Sequence, residues 1–415
     1  MQVNKNNTAF SSDVAPIFDK QLLGVIQRQI DPEKWDRVGE LFEKKKYKEV
    51  LLGILDYVDS DLPRRTGNAE LTKFVIPHGS TILELVIDEE FFHVTAPFLI
   101  IPPSHSVPLL RQIAQINIFP LNLTNIVLEN DQLVFKFDCP LELCEPYKIY
   151  NVLREICSYA DAYDEEFIKK FKAHRYHQPV IKPLPQKYVD LAWQKMQSYV
   201  KETAAYVDYF EKKRLVEVCV DLITITLMKI DYVISPQGIL RTDIEKTVSQ
   251  LQDQEIPLME KPRKGMERIV ALQNFDQQEF ALNLYEAEVF IPLKFNFTNE
   301  MIDSYFQIFF EAAQKEMAGR DYVGVVLTVQ TAFYNLFYHY IFPDDINEIV
   351  TEALAEAAGK TWDQAATILW ESMENIMNRE KPKKRNGLLG FLFGKKKGKK
   401  YNEKKYNEKK FNEKK

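Results

Sequence analysis

The sequence predicts an α+β fold: an N-terminal antiparallel sheet with helices packed on one face, ordered helix, hairpin, helix, hairpin, helix, and followed by a mostly α-helical domain. Three observations carry the prediction. Side-chain periodicity switches from helix-like to strand-like between Leu71 and Asp138. β-branched and aromatic residues gather in those period-two stretches, which come in pairs around short acidic turns. Beyond residue 186 the pattern turns back to helical almost throughout.

Taken in order, residues 1–31 read as a disordered start and a lead helix, with Ile17, Phe18, Leu22, Val25, Ile26 and Ile30 near helical spacing over 14–30. Asp31-Pro32 stops that helix and opens the next, since proline suits a first helical turn. This helix runs over 32–58 with a break near the charged run Lys44-Lys45-Lys46, and Val38, Leu41, Phe42, Val50, Leu51, Ile54, Leu55 and Val58 form one face. A polar loop over 59–70 precedes a hairpin of 81–87 and 91–101 around Asp88-Glu89-Glu90. Pro102-Pro103 ends the hairpin, and 106–117 reads as a short helix bearing Leu109, Leu110, Ile113 and Ile116. A second hairpin pairs 122–128 with 132–138 around Glu129-Asn130-Asp131, with Leu133, Phe135 and Phe137 on one face. A long helix over 143–171 closes this part.

Three prolines make 174–185 a linker. The domain at 186–378 is predicted helical over 186–210, 213–233, 241–251, 298–318, 321–342, 344–358 and 361–378, with a strand pair at 279–285 and 288–297. Thr298 and Thr361 suit N-caps and Gly359 a helix C-terminus. Phe42-Glu43-Lys44-Lys45-Lys46 recurs as Phe210-Glu211-Lys212-Lys213-Arg214, and Lys136-Phe137-Asp138 resembles Lys294-Phe295-Asn296. These likenesses read either as a decayed repeat of the first domain or as shared helix-start chemistry.

Charge is unevenly spread. Residues 379–415 hold sixteen Lys and Arg against four Glu, a net +12, which leaves −18 for the remainder of a chain whose total is −6. An acidic body does not suit nucleic acid as a partner. The four cysteines form no Cys-x-x-Cys pair and are too sparse for a disulfide scaffold, so a reducing cytoplasm is expected. Residues 1–10 contain no apolar core of a secretory signal. Residues 322–342 lack Asp, Glu, Lys and Arg, yet Gln330, Asn335, His339 and four Tyr are spread along them, which favours a buried helix over a membrane span.

The motif search is negative. No phosphate-cradling glycine loop, His-Glu-x-x-His or serine elbow occurs, so no catalytic residue, cofactor or metal site is expected, and an enzyme with an unrecognised site stays as an alternative. His174 and His177 read as surface residues of the linker, and Cys139 and Cys144 as core or rim thiols.

The passage from the helix over 41–58 through the hairpin of 81–101 to the helix, turn and hairpin of 110–138 resembles the type III secretion chaperone and YbjN-like superfamily, over about residues 32–171. The resemblance implies a small α+β domain whose relatives include dimeric cytoplasmic chaperones that hold extended segments of other proteins. On that basis a chaperone-like or adaptor role is expected, with a protein or peptide partner bound through the domain at 32–173 and homodimerisation open. Strand addition along the sheet would bring exposed members of Leu85, Ile87, Phe92, Val94, Phe98 and Ile100 to the partner.

The tail offers a reading of another class. Leu388, Leu389, Phe391, Leu392 and Phe393 lie between basic runs, with Lys395, Lys396 and Lys397 following, in a stretch too short to span a bilayer. They are candidate membrane-surface residues of a peripheral scaffold on an anionic inner membrane face. From Lys399 a five-residue repeat advances about 140° per repeat at helical geometry, so its aromatics form no stripe and it reads as low-complexity sequence.

Overall fold

The computed structural model describes residues 12–22, 32–79, 81–103, 106–179, 181–292, 294–297 and 299–379. Helices α1 (Pro32–Glu43) and α2 (Tyr47–Val58) form a hairpin, followed by the one-turn α3 (Leu62–Thr66). Strands β1 (Lys73–His78), β2 (Thr81–Ile87) and β3 (Phe91–Ile100) run antiparallel in sequence. Helix α4 (Ser106–Ile118) leads to the hairpin β4 (Asn125–Glu129) and β5 (Gln132–Pro140), and α5 (Pro146–Phe171) closes the unit. The sheet order is β1-β2-β3-β5-β4, with the short β6 (His174–Arg175) beside the end of β3. The α+β class predicted from periodicity is what the chain forms.

Period-two burial explains why these segments are strands. Leu83, Leu85 and Ile87 of β2 and Phe92, Val94, Ala96 and Phe98 of β3 point inward, while Glu84 faces solvent. The β3–β5 register shifts between Pro97 and Leu99, so consecutive Phe98 and Leu99 are both buried. The inward side chains meet Val50, Leu51 and Ile54 of α2 and Ile149, Val152, Leu153 and Ile156 of α5 in one core. Strand β1 escaped prediction because Lys73-Phe74-Val75-Ile76-Pro77-His78 is short and contains a proline, which sheets tolerate at an edge.

The second half comprises β7 (Ile181–Pro183), α6 (Gln186–Lys212), α7 (Val216–Ile234), α8 (Gly238–Gln252), α9 (Lys261–Gln273), α10 (Gln277–Leu282), β8 (Tyr285–Ala287), β9 (Phe295–Asn296), α11 (Asn299–Gly319), α12 (Tyr322–His339), β10 (Tyr340–Ile341), α13 (Asp344–Ala357) and α14 (Trp362–Asn378). Helices α7 and α12 are buried nearly all round and form the centre of the second core. Among the described residues no helix is long and apolar enough to cross a membrane.

Three expectations are corrected. The strand pair at 279–285 and 288–297 does not form. Asp276 caps α10 by accepting from Gln278 N and Glu279 N, while β8 pairs with β7, and β9 runs parallel to β10. Helix α9, unassigned from sequence, covers Lys261–Gln273. The lead helix over 14–30 is absent from its described part, where Val14 instead bridges Thr361 in antiparallel fashion.

The likeness between Phe42-Glu43-Lys44-Lys45-Lys46 and Phe210-Glu211-Lys212-Lys213-Arg214 corresponds to one shared turn. Lys45 and Arg214 are left-handed (φ 57 and 63), and the next amide reaches back five residues, Lys46 N to Leu41 O and Leu215 N to Phe210 O. Arg320 and Asp321 repeat the turn between α11 and α12.

The two cores meet through polar and apolar contacts. Phe290 and Ile291, from the second half, insert into the core of the first. Glu165 of α5 accepts from Ile239 N at 2.6 Å, placing a carboxylate at the N-terminus of α8. Arg175 clamps Asp164 and Glu165 at 3.1 and 3.2 Å. Gly238 is left-handed (φ +59) and a Cβ there would lie 2.6 Å from the Glu165 carboxylate, so only glycine fits.

Within α7, burial and the nearby Glu217 and Glu316 carboxylates push Asp221 up to about 6. Because an unfolded aspartate titrates near 4, the folded state keeps this proton to higher pH and loses stability as pH rises from about 4 through 6. Asp221→Asn is therefore expected to raise stability by about 1–3 kcal/mol at pH 7.5 and to leave it unchanged at pH 4. Urea midpoints at the two pH values check this; equal midpoints at pH 7.5 would contradict it.

Candidate functional site

Lys195, Tyr199, Glu202 and Tyr206 recur every three or four residues along α6 and so line one face of that helix. Beside them stand Lys229 and Val233 of α7, the turn Gly359-Lys360-Thr361 between α13 and α14, and Trp362 at the start of α14. Residues 12–22 lie across this surface without helix or sheet of their own.

The surface reads the backbone of that segment. Trp362 Nε1 donates to Ser12 O at 2.8 Å and Tyr206 Oη to Val14 O at 2.5 Å. Ala15 N donates to Lys360 O at 2.7 Å, and Gly359 N donates to Ala15 O at 3.1 Å. Ile17 N donates to Glu202 Oε1 at 3.0 Å, and Lys229 Nζ donates to Ile17 O at 3.0 Å. Leu22 N donates to Val233 O at 2.9 Å. Pro16, which has no N–H to satisfy, sits buried between the two residues held at both N–H and C=O.

Side chains add a second layer. Ala15 is fully buried, and Ile17, Phe18 and Leu22 pack on the helical core, Phe18 stacking on Tyr232. Asp19 is gripped twice, by Lys195 Nζ at 2.6 Å and Tyr199 Oη at 2.7 Å. Burial, and then the bond to Asp19, hold the Tyr199 phenol well above its usual value, so it stays a donor. Lys229 is 1% exposed, paired with Glu202 at 3.4 Å and placed over the Tyr199 ring at 4.4 Å. A lysine so buried needs its partners, and here one of them is the peptide carbonyl of Ile17.

The peptide-binding candidates expected from sequence fall elsewhere. Leu85, Ile87, Phe92, Val94 and Phe98 are between 0% and 5% exposed, because they are the inward-facing set of β2 and β3 packed beneath α2 and α5. A partner cannot touch them. Ile100 is half-buried, between its neighbours Gln132 and His174. The outer edge of β4 is also engaged: the Asn117 side chain accepts from Ile126 N and donates to Ile126 O, both at 2.8 Å, in the manner of a neighbouring strand. Glu155 takes the amides of Asn122, Leu123 and Thr124 just before it. The tail residues Leu388, Leu389, Phe391, Leu392, Phe393, Lys395, Lys396 and Lys397 lie outside the described residues.

Sequence reasoning missed the groove. Its signals were a lone Lys229 in the apolar run of α7 and Pro16 early in a supposed helix. Both were readable as departures from pattern, but neither says which segment meets which surface.

Other chemically suggestive groups are structurally engaged. His93 is held through Nδ1 by Asp138 at 2.5 Å and through Nε2 by Asp88 at 3.0 Å, so neither ring nitrogen is open to act as a base. Burial pushes the Cys144 thiol up to about 12, away from thiolate chemistry. Among the described residues no three His, Cys, Asp or Glu side chains gather as a metal site. No family model matches the chain, and it matches no curated protein.

Two outcomes follow from this geometry. Lys229→Met leaves the Glu202 carboxylate without its cation and is expected to cost about 3–5 kcal/mol, with Glu202→Gln in the same chain recovering part of the loss. Urea unfolding of the single and double variants measures this, and a loss under about 1 kcal/mol would contradict it. The bond to Asp138, followed by that to Asp88, raises the His93 pKa above its usual value. Its stabilising effect is therefore fully present below about pH 6.5 and fades as pH rises through the folded-state value. The stability gap between wild type and His93→Gln should shrink as pH is raised; a gap that grows would refute the assignment.

Proposed function

We propose that this protein binds polypeptide segments in extended conformation, in a chaperone-like or adaptor role, and that the groove of α6, α7 and the α13–α14 turn is where it does so. The observation that carries this reading is residues 12–22: a stretch with no secondary structure of its own, held at seven backbone groups by side chains and turns of other elements. Backbone bonds of this kind give affinity for an extended chain with little regard to its sequence. The segment acts as a ligand supplied in cis. The element order of the first half supports its kinship with the secretion-chaperone and YbjN-like superfamily, and that kinship belongs to the same proposal. So does a cytoplasmic location, supported by free thiols at Cys139, Cys144 and Cys219.

The test uses the full chain with a fluorescently labelled peptide of residues 12–22. In wild type the cis segment competes at an effective concentration of about a millimolar, and labelled peptide should bind weakly. Ala15→Leu overfills a fully buried position, and Phe18→Asp removes an apolar anchor. Each variant should free the groove and bind the peptide at least about tenfold more tightly than wild type does. Fluorescence anisotropy reads the affinities, and no binding to either variant would overturn the proposal.

A further inference from the structure

The groove does more than hold backbone, and we infer that it selects its ligand. Its partner is an extended segment in which a small residue is followed by proline and two apolar residues, with a carboxylate next, the pattern of Ala15, Pro16, Ile17, Phe18 and Asp19. This inference rests on the peptide-binding reading above and adds to it the class of sequence bound.

Each position has its own cause. At the Ala15 position the side chain has no exposed surface, and the same residue's N–H and C=O are bonded to Lys360 O and Gly359 N. The turn thus approaches the ligand backbone directly, which leaves no room for a larger side chain. At the Pro16 position the buried ligand residue has no N–H that would need an acceptor, and its fixed φ lowers the entropy lost on binding. The Ile17 position is framed by the pair of buried Lys229 and half-buried Glu202, which takes one backbone donor and one backbone acceptor from a single residue and so sets the register. At the Phe18 position an aromatic ring meets Tyr232, itself stacked on Phe337 of α12. At the Asp19 position a carboxylate completes two charge-assisted contacts, with the ammonium of Lys195 and the phenol of Tyr199. A neutral amide there would lose the ionic contact.

Register and selection are linked. Lys229 and Glu202 fix Ile17, and only in that register does the carboxylate two residues later reach Lys195 and Tyr199. A segment with the same composition in another order satisfies one set of contacts or the other, not both.

The experiment compares four labelled peptides on the full-length Phe18→Asp chain: residues 12–22 as they stand, the Asp19→Asn version, the Ala15→Leu version and a scrambled sequence. The first should bind at least about tenfold more tightly than each of the others, the scale of one lost charge-assisted hydrogen bond. A Lys195→Gln substitution in the same chain should weaken the parent peptide and leave the Asp19→Asn peptide unchanged, a coupling that a general loss of structure would not produce. Equal affinities for all four peptides would sink the selectivity while leaving peptide binding intact. No binding of any peptide would remove the peptide-binding reading itself. The Ala15→Leu chain, in which the cis segment is displaced by a different change, repeats the comparison and guards against a variant that merely unfolds.

Discussion

A lysine ammonium in the middle of a buried helix is the constraint around which the helical half is organised. Lys229 is surrounded by the apolar residues of α7, and leaving it without partners would cost several kcal/mol. Glu202 supplies the counter-charge from α6, the Tyr199 ring lies beside the ammonium, and the Ile17 carbonyl completes the set. Three separate parts of the chain are thereby drawn to one point. The net stability of such a pair against an apolar replacement is small, so its contribution is better described as positional. It places residues 12–22 in one register on α6 and α7, and the contacts to Asp19, Ala15 and Ser12 fall into place on either side.

The same economy of polar groups governs the sheet. An antiparallel sheet with one covered face leaves two edges at which another strand could pair. In this chain the β4 edge is met by the Asn117 amide at Ile126, and β1 carries Pro77, which has no N–H to offer. The apolar residues of β2 and β3 with the pattern of a partner-binding face, Leu85, Ile87, Phe92, Val94 and Phe98, make the core. In the first half the β4 edge is already met at Ile126, whereas the second half already holds residues 12–22 by their backbone. That contrast is why we propose polypeptide binding at the helical half.

Between the halves, Glu165 shows how a single carboxylate can couple two units. It accepts from Ile239 N at the start of α8, is paired with Arg175 after α5, and requires glycine at position 238. Neighbouring Glu166 pairs with Lys246 of α8, extending the contact along the helix. The arrangement is polar, while Phe290 and Ile291 carry the apolar part of the junction.

Local periodicity is enough to define most of the elements, because burying one face of a helix or strand imposes a repeat that can be read without knowing what lies opposite. The hairpins of β2–β3 and β4–β5, the break near Lys45, the buried α12 and the long α5 were all legible for that reason. Where the repeat is short or serves another purpose, it misleads: Ile17, Phe18 and Leu22 have helical spacing but form no helix, since they pack on the helical core, and Ile17 is bonded at its backbone to Glu202 and Lys229, far along the chain. The Lys229–Glu202–Ile17 contact, the seal at Ile126 and the depth of Phe92 and Val94 depend on which surfaces meet. One-dimensional pattern encodes how much of a segment is buried, but the identity of its neighbours is set only when distant parts of the chain pack, and the surface that holds residues 12–22 is made entirely of such neighbours.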